Sequence, residues 1–374
     1  MVTDQQSNPQ QHHQKKTAQN LQGILPFTRV PWQKIGLAVL SLLLFFTALE
    51  LMKAGARHMT SLTRSLASLD NPLDGLGLGW LSSYLALSGS PVAAISLTLF
   101  DIQAISHATT FLMIVGSRVG GSLVVIFIGL LYFLQGHARK TSLLTGILSF
   151  LVTSMIYIPA VPLGLFLLRH AKINLITFRN LDAPANSLGN QIFDPVVSGL
   201  LRVFPRWVIF LLGVGLTILS LKLIDQALPK FELKGNVFGE VPRLLYRPSI
   251  SFLLGFGFTL LTMSVSISLG LLVPLSVRGY IKRENLLPYI MGSNISTFID
   301  TIIAGLLLRN PAATNLVLVQ IISVLIVSLL ILAAFYRRFQ RFTLGAAFWL
   351  NNSKIRLIGF LLILVIVPIG LLFG

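Results

Sequence analysis

The sequence predicts an all-α polytopic membrane protein with two inverted-topology repeats. Each repeat holds a re-entrant helical hairpin and a broken transmembrane helix, and one extra C-terminal span follows. Three observations carry this expectation. Of the 374 residues, 54% are hydrophobic and 11% charged, whereas soluble domains are about a quarter charged. Apolar runs of about 20 residues, the length a helix needs to cross roughly 30 Å of hydrocarbon, recur along nearly the whole chain. Features of one half also reappear in the other at matched spacing.

Residues 1–34 are Gln-rich and polar, without a cleavable signal pattern, and read as a cytoplasmic disordered tail. Ile35 to Met52 follows as a signal anchor and first span. Repeat 1 (35–168) continues with a hairpin at 74–104, interrupted by Ser88-Gly89-Ser90-Pro91, a broken span at 109–134 and a span at 142–168. An inter-repeat loop at 169–206 leads to repeat 2 (207–335). Its elements are a span at 207–226, a hairpin at 249–279 interrupted at Ser264-Val265-Ser266, a broken span at 286–308 and a span at 312–335. The extra helix, 355–373, lies outside the repeat. Stretches such as Ile35 to Met52 and Leu316 to Phe335 are apolar all round, which excludes the alternation of a membrane barrel.

A shift of 176 residues places Gly79 on Gly255, Leu85 on Leu261, Ser88 on Ser264, Ser90 on Ser266, Gly116 on Gly292 and Ser117 on Ser293. Upstream, a shift of 172 places Glu50-Leu51-Met52-Lys53 on Lys222-Leu223-Ile224-Asp225. Three crossings separate the start of one half from the start of the next. Three is odd, so the halves are expected to be inverted, a recurrent plan in transporters. Sorted by this topology, 19 of the 29 Lys and Arg fall on the side of the N-terminus, nine on the other, and Arg118 within the membrane. An excess of basic residues marks the cytoplasmic side, so the N-terminus is expected there.

The formal charge of +17 does not point to nucleic acid, because the basic residues sit in short loops and form no continuous face. Cysteine is absent, so disulfides and thiolate-bound metals are excluded. No paired-His metal motif, phosphate-cradling Lys loop or Gly-x-Ser-x-Gly elbow occurs, and the chain is not read as an enzyme. No cofactor is expected. The absent cysteines and compact loops place it in a plasma membrane, with a bacterial inner membrane expected.

Irregular backbone at membrane depth is expensive unless it is buried in protein or lines a wet cavity. The two Ser clusters and the two Gly-Ser breaks are therefore read as binding segments. Free N–H groups at a half-helix N-terminus favour an anion, while freed carbonyls and hydroxyls suit a small cation. For the Ser residues the competing reading is packing, since small polar side chains let helices approach and bond carbonyls in their own helix.

Asn71-Pro72-Leu73 and the Gly-rich run to Gly79, leading into Leu87-Ser88-Gly89-Ser90, resemble the sodium/phosphate cotransporter (type II) family, in which such a helix leads into Gln-Ser-Ser-Ser. That family's Gly-Ala-Asn-Ile-Gly-Thr-Thr is similar to Gly292-Ser293-Asn294-Ile295-Ser296-Thr297 and, more faintly, to Gly116-Ser117-Arg118-Val119-Gly120-Gly121-Ser122. The resemblance spans roughly 45–335 and implies an elevator-type symporter of inorganic phosphate or a similar small anion, with Na+ as coupling ion. By position it implies binding by Ser88, Ser90, Ser264, Ser266, Asn294, Ser296 and Thr297, with Na+ at Ser88, Ser90, Ser264 and Ser266. The signature Gln is replaced by Leu87 and Met263, the middle Ser by Gly89 and Val265, and the first-half Asn by Arg118.

A buried guanidinium costs several kcal/mol unless it is paired or faces water. Arg118 therefore reads either as a structural ion pair with Asp300, a carboxylate deep in the second broken span, or as a direct bidentate anion contact that replaces lost hydroxyls. Glu50 with Lys53, and Lys222 with Asp225, read as interfacial helix-end pairs, and Asp101 and His107 as loop residues. Two further readings stay open: the same fold carrying another small anion, and a homologue that no longer transports and serves as a membrane regulator or scaffold. Membrane lipid is an expected partner, nucleic acid is not, and a homodimer is left open.

Overall fold

The computed structural model describes residues 32–57, 71–134, 139–170, 195–227, 247–264, 268–270, 272–273, 276 and 283–373, and among these there is no strand. The helices are α1 (Trp32–Ala56), α2 (Pro72–Ala86), α3 (Gly89–Asp101), α4 (His107–Gly121), α5 (Leu123–Leu134), α6 (Arg139–His170) and α7 (Arg206–Ala227). Then come α8 (Pro248–Thr262), α9 (Arg283–Ser296), α10 (Ile299–Leu307), α11 (Pro311–Leu330), a π-helical turn at Ile331–Phe335, α12 (Tyr336–Asn351) and α13 (Lys354–Phe373). The expected tail, the centre of the inter-repeat loop and much of the second arm of the 249–279 hairpin lie outside the described residues.

Local chemistry sets the helix starts. Pro72, Pro248 and Pro311 occupy the first turns of α2, α8 and α11, where a missing N–H leaves no hydrogen bond unmade. Asn71 accepts from the Leu73 N–H at 3.0 Å, and Asn310 accepts from Ala312 and Ala313 at 3.0 and 3.2 Å, each satisfying donors the helix cannot. The ends of α2 and α8 are left-handed, with Leu87 at φ 49° and Met263 at φ 48°. A side chain in that region costs roughly 1–2 kcal/mol.

Among the described residues, seven helical stretches are long and apolar enough to cross a membrane: Trp32–Ala56, His107–Leu131, Leu143–His170, Arg206–Ala227, Arg283–Leu307, Pro311–Asn351 and Lys354–Phe373. They coincide with the seven expected spans, and the chain is a multi-pass helical membrane protein. Leu211, Leu219, Leu362 and Ile366 lie exposed on α7 and α13, an apolar outer surface suited to lipid. By contrast, α2 and α8 have 15 residues and α3 has 13. At 1.5 Å per residue they reach about 20 Å, short of a crossing.

One boundary differs from expectation. The span placed at 312–335 does not end there, because the helix continues through the π-helical turn into α12 and makes a 41-residue stretch. That length is about 60 Å, twice the hydrocarbon. Arg337, Arg338 and Arg341 end the apolar segment, whereas backbone hydrogen bonding carries the helix on.

Local geometry recurs 176 residues apart. The helix starts Leu123 and Ile299 differ by 176 (299 − 123). Asn71 and Arg247, before α2 and α8, have φ/ψ of −93°/121° and −95°/122°. A methyl group on Gly79 would collide with the Met113 carbonyl, and one on Gly116 with that of Leu76. The counterparts Gly255 and Gly292 meet the carbonyls of Tyr289 and Phe252 in the same way. Thus α2 lies backbone to backbone on α4, and α8 on α9.

Elsewhere, α1 packs along α7, with Gly55 against the Phe210 backbone, and α5 packs on α6. The outlying α13 docks on α2, where the Tyr84 hydroxyl donates to the Leu364 carbonyl at 2.8 Å. Helix α3 is central, touching α1, α4, α7, α10 and α11.

Candidate functional site

The two broken spans place opposite charges at one point. Arg118 lies in the last turn of α4 and Asp300 in the first turn of α10. Each complements its helix dipole, a cation at a C-terminus and an anion at an N-terminus. They are buried, 7% and 5% exposed, and the Arg118 Nη2 donates to Asp300 Oδ1 at 3.0 Å.

Arg118 is otherwise surrounded by hydroxyls. Its Nη1 donates to Thr297 Oγ1 at 3.2 Å and reaches Ser90 Oγ at 3.5 Å, while Nη2 also meets Thr301 Oγ1. The guanidinium carbon stands 5.0 Å over the Phe298 ring, a cation–π contact. Two atoms of the pair are buried without a protein partner, Arg118 Nε and Asp300 Oδ2. The unused Nε leaves part of the guanidinium fork available to a further acceptor.

Arg118, Asp300, Ser90 and Thr297 line a cavity of about 50 Å³. One water needs roughly 10–15 Å³ by this measure, so the space suits a few waters or a small ion. Ser88, Gly89 and Ser90 line it at the N-terminus of α3, and Ser264 lines it just past α8. Ser88 is the residue before α3 and makes no capping bond with its side chain. Asn294 and Thr297 line it from α9 and its end. The Asn294 amide is held by Thr153 of α6, Nδ2 to Oγ1 at 3.1 Å, and the Tyr157 hydroxyl donates to the Asn294 carbonyl at 3.3 Å.

Seven of the nine expected residues therefore share one cavity: Ser88, Ser90, Arg118, Ser264, Asn294, Thr297 and Asp300. Ser296 does not join them. It is buried, and its hydroxyl turns back to the Gly292 and Ser293 carbonyls of its own helix at 3.5 and 3.3 Å, the packing role small polar residues often take. Ser266 lies outside the described residues, so of the expected sodium ligands Ser88, Ser90 and Ser264 are the ones brought together.

Sequence reasoning missed Thr153 and the α7 wall of the cavity, formed by Leu221, Ile224 and Asp225. Asp225 does not pair with Lys222, which is exposed, and has no hydrogen-bond or ion-pair partner among the described residues. The signal was the i, i+3, i+4 spacing of Leu221, Ile224 and Asp225, which puts a carboxylate on an inward face. Lys53 pairs with Glu50 as expected, but further partners and its burial were missed. It is buried, and its Nζ lies 3.1 Å from Asp101, 3.3 Å from the Leu308 carbonyl and 3.5 Å from Glu50. Asn310 Nδ2 donates to Asp101 at 2.9 Å, so Asp101 ties three elements together rather than standing in a loop.

The cavity thus combines one guanidinium, two carboxylates, several hydroxyls, an amide and the start of a helix. Among the described residues no three His, Cys, Asp or Glu side chains group to hold a metal. Comparison of the chain with family models, with curated proteins and with solved structures finds no match.

Proposed function

We propose that the chain is a sodium-coupled symporter that carries inorganic phosphate across the plasma membrane by elevator-type alternating access. The observation that supports this best is the shared cavity. Arg118, Ser88 and Ser90 come from the first half, and Ser264, Asn294 and Thr297 from the second, within a bundle of seven apolar spans. In this reading α2 with α3, and α8 with the segment after it, are re-entrant hairpins whose tips are the left-handed residues Leu87 and Met263. The recurrence at 176 residues is then a pair of inverted repeats, an arrangement that lets a central site open to either side in turn.

The chemistry follows from the donors. Phosphate oxygens accept from the free part of the Arg118 fork and from the first N–H groups of α3, whose positive dipole end faces the cavity. Sodium takes hydroxyl oxygens of Ser88, Ser90 and Ser264 together with freed carbonyls. Neither ligand needs a cofactor, and no bond is made or broken.

The test is uptake of labelled phosphate into proteoliposomes under an inward sodium gradient and under an equal potassium gradient. Sodium-specific accumulation is expected. Absence of uptake by folded protein overturns the reading, and a screen of other oxyanions then separates a changed cargo from a scaffold that does not transport.

A further inference from the structure

Charge at the cavity does not balance within the described chain. Arg118 is the cation among its lining residues, and Asp300 already takes that charge at 3.0 Å. Asp225 adds a second carboxylate from α7, with no partner among the described residues, and Asp300 Oδ2 is buried without one. A carboxylate away from water is strongly disfavoured unless a cation or a proton joins it.

The 172-residue correspondence sharpens the point. Lys53 of α1 falls on Asp225 of α7 (225 − 53 = 172). In the first half the position carries a buried cation held by the protein's own Asp101 and by a backbone carbonyl. In the second half it carries a carboxylate facing the cavity. An anionic substrate would add more negative charge to a site whose lining side chains, counted by formal charge, already sum to one net negative charge.

We propose that Asp225 and the free oxygen of Asp300 form a sodium-binding site on the α7 wall of the cavity, distinct from the serine hydroxyls, and that occupation of this site admits the anion. The second clause rests on the symport reading; the binding site does not. Sodium fits better than a proton because neutral oxygen donors outside the serine clusters, Asn294 and Thr297, line the same cavity. A hard cation uses such ligands, whereas a protonated carboxyl does not need them.

The experiment measures equilibrium binding of radioactive 22Na+ to the purified full-length chain, with and without phosphate, for the wild type and Asp225→Asn. Gel filtration and thermal unfolding check the fold, and Asp225→Ser replaces the Asn variant if that one does not accumulate. Sodium binding without phosphate is expected, weakened at least tenfold by loss of the carboxylate, largely kept in Asp225→Glu and unchanged in Lys222→Gln. Wild-type affinity in a folded charge-removed variant, or no sodium binding by the wild type, overturns the proposal. Binding that depends on Asp225 without sodium-driven phosphate uptake supports the cation site and overturns the phosphate reading. Sodium-driven uptake that is indifferent to Asp225 does the reverse.

Discussion

Arg118 and Asp300 were open to two readings, a structural pair or an anion contact, and a double-mutant cycle separates them. Removing one member of a buried, hydrogen-bonded ion pair leaves the other uncompensated and costs about 3–5 kcal/mol, whereas replacing both is often nearly neutral. In Arg118→Gln the carboxylate of Asp300, 5% exposed, loses its 3.0 Å partner. Asp300→Asn leaves the guanidinium over Phe298 with Ser90, Thr297 and Thr301 but without a counter-charge. Each single variant is expected to lose about 3 kcal/mol or more, and Arg118→Gln/Asp300→Asn is expected to recover most of that loss. The assay is reversible unfolding in detergent, followed by tryptophan fluorescence. Phosphate binding to the recovered double variant then reads the second role. Loss of the fork is expected to weaken it at least tenfold, about 1.4 kcal/mol. A coupling energy near zero refutes the burial argument, and unchanged affinity in the double variant refutes the anion contact.

Gly79→Ala and Gly255→Ala each force a methyl group into a carbonyl of the neighbouring helix. Both are expected to lose about 1–3 kcal/mol, by similar amounts; a tolerated substitution at either position, judged by thermal unfolding, would show that the helices can separate there. Leu87→Gly removes an exposed side chain from a left-handed residue at φ 49° and is expected to gain up to about 1 kcal/mol, and Met263→Gly the same at φ 48°. An unfolding temperature that falls in both contradicts the strain argument. Lys53→Met strands Asp101, and Asp101→Asn added to it is expected to restore stability; if the second change brings further loss, Lys53 does not act through this pair.

The fold was legible where chemistry is local. Spans follow from apolar length, and the breaks at Ser88 and Ser264 follow from Ser and Gly clusters that interrupt the apolar runs. Arg118 and Asp300 were legible as a pair because each is costly alone at that depth. Asp225 was not, because its sequence neighbour Lys222 offered a cheaper explanation at i−3. Only the approach of α7 to the ends of α3 and α8 reveals which face the carboxylate takes. The pair of Lys53 with Glu50 was legible, but its further partners Asp101 and Leu308, 48 and 255 residues away (101 − 53 and 308 − 53), were not. The continuation past Phe335 was hidden because arginines report the water boundary and not the end of the helix.

The glycine contacts have a mechanical consequence. Where two backbones touch with no side chain between them, as for α2 on α4, α8 on α9, and α1 on α7 at Gly55, there is no lubricating layer of rotamers to shear. Each couple therefore travels as a single strut. Any large displacement has to slide along surfaces padded by side chains between the struts, and the cavity, walled in part by α4, α7 and α9, sits at the junction of all three couples.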